Sequence, residues 1–197
     1  MADDSEPIPL RKTRVDAARN RARLLDTAKA AFAAKGSNAS LDEIARTAGV
    51  GAGTLYRHFP TRDALIEAVY LNETQQLADA ATQLAASHPP VEALREWMRL
   101  FVDYIATKRV MAEALGSLIG GTSALYATST ALVTTALTML TGRAVASGEI
   151  RLELDPLDLL RAVAGVANTG ACSSTEQSAK QLVDILIAGL RAPTHIP

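Results

Sequence analysis

The chain has few of the residues that build metal sites or disulfide frameworks. Its 197 residues include one cysteine, Cys172, and three histidines, His58, His88 and His195. One cysteine excludes an intramolecular disulfide and is typical of a reducing compartment; Cys172 fits inert packing or, as the alternative, a redox sensor. No H-x-x-x-H, C-x-x-C or clustered carboxylate pattern supplies metal ligands. The sequence therefore predicts no metal, no cofactor and no enzymatic activity.

Aromatic residues and long apolar runs are also scarce. Aromatics make up 4% of the chain, whereas apolar residues make up 48%, much of it alanine and leucine, which favours helices throughout. No apolar run approaches the ~18 residues of a membrane helix. The first residues, MADDSEPIPLRK, contain no hydrophobic segment of the kind found in secretory signals. We therefore expect a cytoplasmic helical protein without a membrane segment.

The net charge of −1 conceals an uneven distribution. Residues 1–62 contain 11 Lys and Arg against 7 Asp and Glu, whereas residues 63–197 contain 9 against 14. Only the first third of the chain has the positive balance that attracts a phosphate backbone.

That basic third contains the pattern of a helix-turn-helix at residues 40–59. Ser40 and Glu43 form an S-x-x-E capping box before an apolar helical face. Gly49 supplies the left-handed turn, and a second short helix follows from Gly51 to about Phe59. Such a pair of helices places its second helix in the major groove of DNA.

The outward residues of the second helix fit DNA. Its first residues are very small, so the backbone can approach base edges, while donors for phosphate or guanine follow directly behind. A glycine-rich turn between helices also occurs in proteins that bind no DNA, and His58 has the alternative of an ordinary surface histidine. The predicted DNA-binding residues are Ser40, Gly51, Ala52, Gly53, Thr54, Tyr56, Arg57, His58, Thr61 and Arg62.

The remaining pattern predicts an all-α protein of two parts. Residues 1–17 read as a flexible arm, either a solvated tail or a basic arm that reaches a DNA groove. Residues 18–68 read as a three-helix DNA-binding domain, with its first helix from about Ala18 to Lys35. Residues 69–197 read as a helical domain for ligand binding and dimerisation. Its last two helices begin at Asp155-Pro156 and after the loop around Cys172.

The order and spacing of residues 19–70 resemble the TetR family of bacterial transcriptional regulators. The segments that carry the resemblance are A-F-A-A-K-G, S-L-D-E-I-A-R-T-A-G-V, G-T-L-Y-R-H-F-P and T-R-D-A-L. The chain departs from the family pattern in two places: Ser37 replaces a frequent aromatic, and Gly51-Ala52 replaces a frequent serine or lysine. Side-chain base contacts from the tip are therefore expected to be few.

The resemblance implies an all-helical homodimer of about nine helices that binds a two-fold symmetric operator in double-stranded DNA. It implies phosphate contacts for Tyr56 and His58, a place near the DNA backbone for Arg62, and a place near the bases for Thr54. It further implies a regulator, most often a repressor, that a small-molecule effector releases from the operator. A helical dimeric adaptor or sensor that no longer binds DNA is the alternative.

The second domain offers candidates for both of its implied roles. Bulky side chains beside a helix rich in Ser and Thr predict an apolar pocket with a few hydroxyls, although the same stripe fits ordinary core. Its predicted lining is Trp97, Phe101, Tyr104, Met111, Tyr126 and Met139, without an inward charge, which favours a neutral or amphipathic effector. The dimer interface is predicted to consist of Leu159, Leu160, Val163, Leu182, Leu186 and Leu190.

Overall fold

The structure, a computed structural model, describes residues 10–168 and 173–191. Across these residues it contains nine α-helices, a 3-10 turn at Gly36–Asn38 and no β-strand beyond a single bridge between Ile150 and Arg191. The all-α prediction with about nine helices is confirmed. In chain order the helices are α1 (Leu10–Lys35), α2 (Leu41–Thr47), α3 (Ala52–His58), α4 (Arg62–Ser87), α5 (Pro90–Val110), α6 (Ala112–Gly116), α7 (Ser123–Ala146), α8 (Pro156–Ala167) and α9 (Ser173–Gly189).

The chain divides into two compact units, which we call the N-terminal unit, up to Val69, and the C-terminal unit, from Tyr70. The two units have opposite charge. Residues 10–69 carry 11 Lys and Arg against 6 Asp and Glu, whereas residues 70–191 carry 9 against 12.

The first helix is longer than the sequence predicted. It begins at Leu10 rather than near Ala18, so residues 10–17 are helical and the prediction of a flexible arm is wrong for them. From Leu10 to Lys35 the chain contains no Gly or Pro and is rich in Arg and Ala, which propagate a helix well. The earlier part of the predicted arm, residues 1–9, lies outside the described residues, as does Cys172.

The core of the N-terminal unit joins α1 to the helix-turn-helix. Phe32 of α1, Ile44 of α2, Leu55 of α3 and Leu65 of α4 are at most 1% exposed. Because each helix contributes apolar residues three or four apart, all four bury one face. This packing fixes α3 against the unit while leaving its other face in solvent.

Helix α5 is the centre of the C-terminal unit and packs against α7, α8 and α9. Trp97 is completely buried there, and its indole Nε1 donates to the carbonyl of Leu77 at 2.8 Å. Two ion pairs also hold α9 to α5. The guanidinium Nη1 of Arg99 lies 3.1 Å from the Asp184 carboxylate, and the Lys180 ammonium lies 2.5 Å from the Asp103 carboxylate.

Helix α7 is long and apolar enough, by length and composition, to cross a membrane. Eight Ser and Thr residues interrupt α7, so it is not an unbroken apolar run, and the absence of a membrane segment stays a prediction. In the structure α7 packs against α5 and α8, and Leu137, Leu140 and Ala144 are fully buried in the C-terminal unit. A core helix of a soluble protein meets the same criterion, so the finding is weak evidence for a membrane span.

Candidate DNA-binding helix and ligand cavity

The turn before α3 follows the local signals in the sequence. The Ser40 hydroxyl accepts from the Glu43 amide at 3.4 Å and so caps α2. At the other end Gly49 has φ +67°, and the amides of Gly49 and Val50 donate to the carbonyls of Arg46 and Ala45, each at 3.0 Å. This is a Schellman motif, in which a glycine at positive φ ends the helix and reverses the chain.

Of the two reciprocal hydrogen bonds of a capping box, only the one from the Glu43 amide to the Ser40 hydroxyl forms. Instead of a contact with Ser40, the Glu43 carboxylate has an ion pair with Lys35 at the end of α1, at 2.6 Å. Hydrogen bonding and charge attraction from Lys35 hold the pKa of Glu43 below its usual range. The acidic side chain therefore links α2 to α1.

Helix α3 has the two faces that a DNA-reading helix needs. Leu55 and, directly after the helix, Phe59 are at most 2% exposed and anchor its inner side. On the outer side Gly51, Ala52 and Gly53 are exposed, Tyr56 is 44% exposed, and Arg57 is exposed. A Cβ atom added at Gly51 or Gly53 would meet no atom within 4 Å, so the protein interior does not require glycine at either position. The small residues leave the helix tip open to close approach from outside.

Thr54 and His58 are half-buried, at the boundary between these two faces. Thr61 follows in the turn before α4, where its hydroxyl accepts from the amide of Ala64 at 3.1 Å. The structure thus gives Thr61 a capping role at the start of α4.

The environment of Arg62 differs from the sequence interpretation. Its guanidinium donates to the carbonyl of Ala39 at 2.6 Å and to that of Ser37 at 2.5 Å, and it lies 5.4 Å from the centre of the Phe32 ring. These acceptors belong to the turn between α1 and α2. The planar fork of an arginine suits several carbonyls at once. The predicted role at the DNA backbone is therefore revised: Arg62 holds the turn between α1 and α2 to the start of α4.

The C-terminal unit contains a cavity of about 270 Å³ between α4, α5, α7 and α8. The apolar part of its wall includes Phe101, Ile105, Val133, Leu157 and Leu160. This volume is slightly below the ~300–1,000 Å³ typical of ligand pockets. The cavity is thus suited to a compact ligand.

Two hydroxyls of the wall, those of Tyr70 and Tyr104, belong to a buried chain of hydrogen-bonded hydroxyls. The Tyr104 hydroxyl donates to that of Tyr70 at 2.9 Å and lies 3.2 Å from the hydroxyl of Thr74, which is completely buried. Thr74 in turn donates to the Tyr70 carbonyl at 3.1 Å. Burial raises the pKa of Tyr70 well above its usual range, so the phenol stays neutral. These groups satisfy one another.

Lys108 is a charged wall residue that sequence reasoning missed. It is half-buried on α5, and its ammonium lies 4.1 Å from the centre of the Tyr126 ring and 5.9 Å from that of Tyr70. Burial lowers the pKa of Lys108. The expectation of an uncharged lining is therefore wrong. Arg161 also lines the cavity, but it is exposed and paired with Asp158 at 2.7 Å.

Of the six predicted lining residues, Phe101 and Tyr104 line the cavity. Trp97 and Met111 are completely buried in the core, which agrees with the alternative interpretation of the stripe. Tyr126 contacts the ammonium of Lys108 but does not line the cavity, and Met139 lines a separate groove between α4 and α7. Helical spacing cannot separate core from cavity wall, because both require apolar residues on the inner face.

The predicted dimer residues also divide into two groups. Leu159, Leu160 and Val163 are at most 5% exposed within the single chain, so their assignment to a subunit interface is wrong. Leu182, Leu186 and Leu190 are half-buried, and Ile185 between them is 67% exposed. On α9 the fully buried positions are Ala179, Val183 and Ile187. The exposed side of α9 is thus centred on Ile185.

The comparisons with known proteins agree with this architecture. Residues 24–69 match the family model of bacterial regulatory proteins of the tetR family, and residues 89–192, more than half of the chain, match the C-terminal domain of SbtR-like transcriptional regulators. A probable acrEF/envCD operon repressor of Escherichia coli is 31% identical over 99 residues, which are 49% of this chain. The chain spans only 45% of the length of that curated relative.

Two solved structures resemble nearly the whole chain. A TetR transcriptional regulator from Streptomyces coelicolor is 44% identical, with a TM-score of 0.80 over 88% of this chain and 99% of the other. A TetR transcription regulatory protein from Mycobacterium vanbaalenii is 35% identical, with a TM-score of 0.76 over 91% and 99% of the two chains. With a helix-turn-helix, an α-helical second unit and relatives of this similarity, the chain belongs to the TetR family of bacterial transcriptional regulators rather than to a family of enzymes.

Proposed function

We propose that this regulator acts in the cytoplasm as a homodimer, binds a two-fold symmetric operator through α3, and represses transcription until a small molecule occupies the cavity of the C-terminal unit. The proposal rests on α3, which has one buried side and one side exposed to solvent. Leu55 and Phe59 fix it to the unit, while Gly51–Gly53, Tyr56 and Arg57 are presented to solvent.

The small and the long side chains of α3 have different roles in this proposal. Gly51, Ala52, Gly53 and Thr54 lie near the base edges, where their small size allows close approach to a thymine methyl group. Tyr56, Arg57 and His58 contact phosphates and set the register of the helix on the duplex. Ser40 and Thr61 contribute from the starts of α2 and α4, whose N-terminal dipoles favour an anion.

The proposed subunit interface is formed by the exposed sides of α8 and α9. On α9 it contains Leu182, Ile185 and Leu186, and on α8 it contains the exposed small residues Ala162 and Gly165. Small residues on α8 would let the partner's helices approach closely. A large apolar side chain such as Ile185, 67% exposed on a helix, is a typical centre for such a surface.

Operator binding should be dimeric and strongly dependent on salt. Genomic fragments selected by the purified protein should contain a two-fold symmetric site with half-sites about one helical turn apart. If roughly six phosphates are neutralised, log K should fall with log salt at a slope of about −5. A footprint over one asymmetric half-site, or an affinity indifferent to salt, would contradict the proposal. Failure to shift any duplex at low salt would instead support the adaptor without DNA binding.

Substitutions on α3 should separate base reading from phosphate binding. Thr54→Ala should change the preference between operator variants by about 1 kcal/mol if the threonine methyl packs on thymine. Tyr56→Phe should weaken binding to specific and scrambled duplexes alike, because the lost hydroxyl contacts phosphate. Titration of both variants on both duplexes measures the difference. An equal loss of discrimination in the two variants would refute this division.

A further inference from the structure

We propose that the effector is an amphipathic anion, with a carboxylate bound by Lys108 and a compact apolar body in the rest of the cavity. This inference rests on the proposed effector role of the cavity and specifies the chemical class of the ligand. It starts from Lys108, a half-buried cation in the largely apolar wall of the cavity.

The charge of Lys108 has no partner of opposite sign within residues 10–168 and 173–191. Among the described residues no carboxylate lies within ion-pair distance of its ammonium, and its recorded contacts are with the faces of Tyr126 and Tyr70. The nearby acids are engaged elsewhere: Asp103 pairs with Lys180, and Asp158 pairs with Arg161. A partly desolvated ammonium is costly without a counter-charge, so a ligand that brings an anion recovers this cost.

The hydroxyls of α7 indicate where a head group would be held. Thr128, Ser129, Thr135 and Thr141 each donate to the carbonyl four residues earlier in the helix. Thr130 and Thr134, which line the cavity, make no hydrogen bond within the described part of the chain. Two free hydroxyls and an uncompensated ammonium on facing helices are donors for carboxylate oxygens.

The remainder of the wall limits the body of the ligand. Phe101, Ile105, Val133, Leu157 and Leu160 offer apolar contact, and the volume of about 270 Å³ favours a compact ligand. A medium-chain fatty acid or a phenylalkanoic acid fits both requirements. The body would contact Phe101, whose ring stacks on that of Trp97 at a centroid distance of 6.2 Å. Occupancy should therefore change the fluorescence of Trp97, which is the only tryptophan.

The test uses matched acids and amides on the full-length protein. Octanoate and 4-phenylbutyrate are titrated beside octanamide and 4-phenylbutyramide by calorimetry, with Trp97 emission as a second readout. The wild type should bind each acid on the order of tenfold more tightly than its amide, as a charge-assisted hydrogen bond predicts. Lys108→Met should abolish this preference, and Lys108→Arg should retain most of it.

Further variants and measurements serve as controls for this test. Arg151→Gln, which removes a charge outside the cavity wall, should leave the preference unchanged. Lys108→Met without ligand should melt at the wild-type temperature or above, since burial of the charge is lost. Equal affinity for acid and amide, no binding by either acid, or a preference abolished by Arg161→Gln instead of Lys108→Met would overturn the inference. Operator binding without ligand is measured in parallel, so a failure of the proposed function is recognised separately.

Discussion

Replacing Ile185 with glutamate should convert the protein into a monomer that no longer holds its operator. Ile185 is 67% exposed in the single chain and is flanked on α9 by half-buried Leu182 and Leu186. In a two-fold interface the substitution buries two carboxylates, one from each subunit, and an unpaired buried carboxylate costs several kcal/mol. We expect the dimer dissociation constant to rise at least about 100-fold, which corresponds to roughly 2.8 kcal/mol.

Analytical ultracentrifugation at micromolar concentration measures this change, and a footprint measures the loss of operator binding. A dimer engages two half-sites at once, so a monomer loses the second contact and its avidity. Ile119→Glu is the matched control, because Ile119 is 95% exposed and lies outside α8 and α9. If Ile185→Glu sediments as an intact dimer, the subunits associate through another face.

Arg62→Ala should destabilise the N-terminal unit in addition to weakening DNA binding. The guanidinium donates to the carbonyls of Ala39 and Ser37 and lies over the Phe32 ring. A hydrogen bond from a charged donor contributes about 1.5–3 kcal/mol, and the carbonyls left behind are partly shielded from water. We expect the free energy of unfolding of this unit to fall by about 3 kcal/mol, with Arg62→Lys intermediate because an ammonium lacks the planar fork.

Urea unfolding combined with hydrogen exchange of α1–α3 tests this expectation, and Arg57→Ala is the matched control. Arg57 is exposed on α3, so its loss should reduce operator affinity and leave exchange unchanged. Suppose that Arg62→Ala instead kept full stability and only reduced the salt slope by about one, as the loss of one phosphate contact does. The original assignment of Arg62 to the DNA backbone would then be restored.

The helix-turn-helix could be predicted because its signals are local. Ser40 caps α2, Gly49 adopts the positive φ that ends it, and Leu55 with Phe59 forms the buried side of α3. Each of these features depends on residues only a few positions apart. The role of Arg62 depends on carbonyls 23 and 25 positions away, so spacing within the motif could not show it.

The cavity could be predicted only in outline for a related reason. Lys108 stands in the last turn of α5, where a basic residue ordinarily complements the helix dipole in solvent. Only the packing of α4, α7 and α8 around it turns that position into a cavity wall. Similarly, α8 and α9 are both amphipathic, and the sequence does not say that Leu159, Leu160 and Val163 face the subunit's own core.

The opposite charges of the two units have a kinetic consequence. Residues 10–69 carry an excess of five positive charges and residues 70–191 an excess of three negative charges, although the chain as a whole is nearly neutral. In the field of a DNA polyanion such a molecule experiences a torque as well as an attraction, since one unit is drawn in while the other is pushed away. The N-terminal unit should therefore lead when the protein meets the duplex, so that a larger share of random collisions leads to binding.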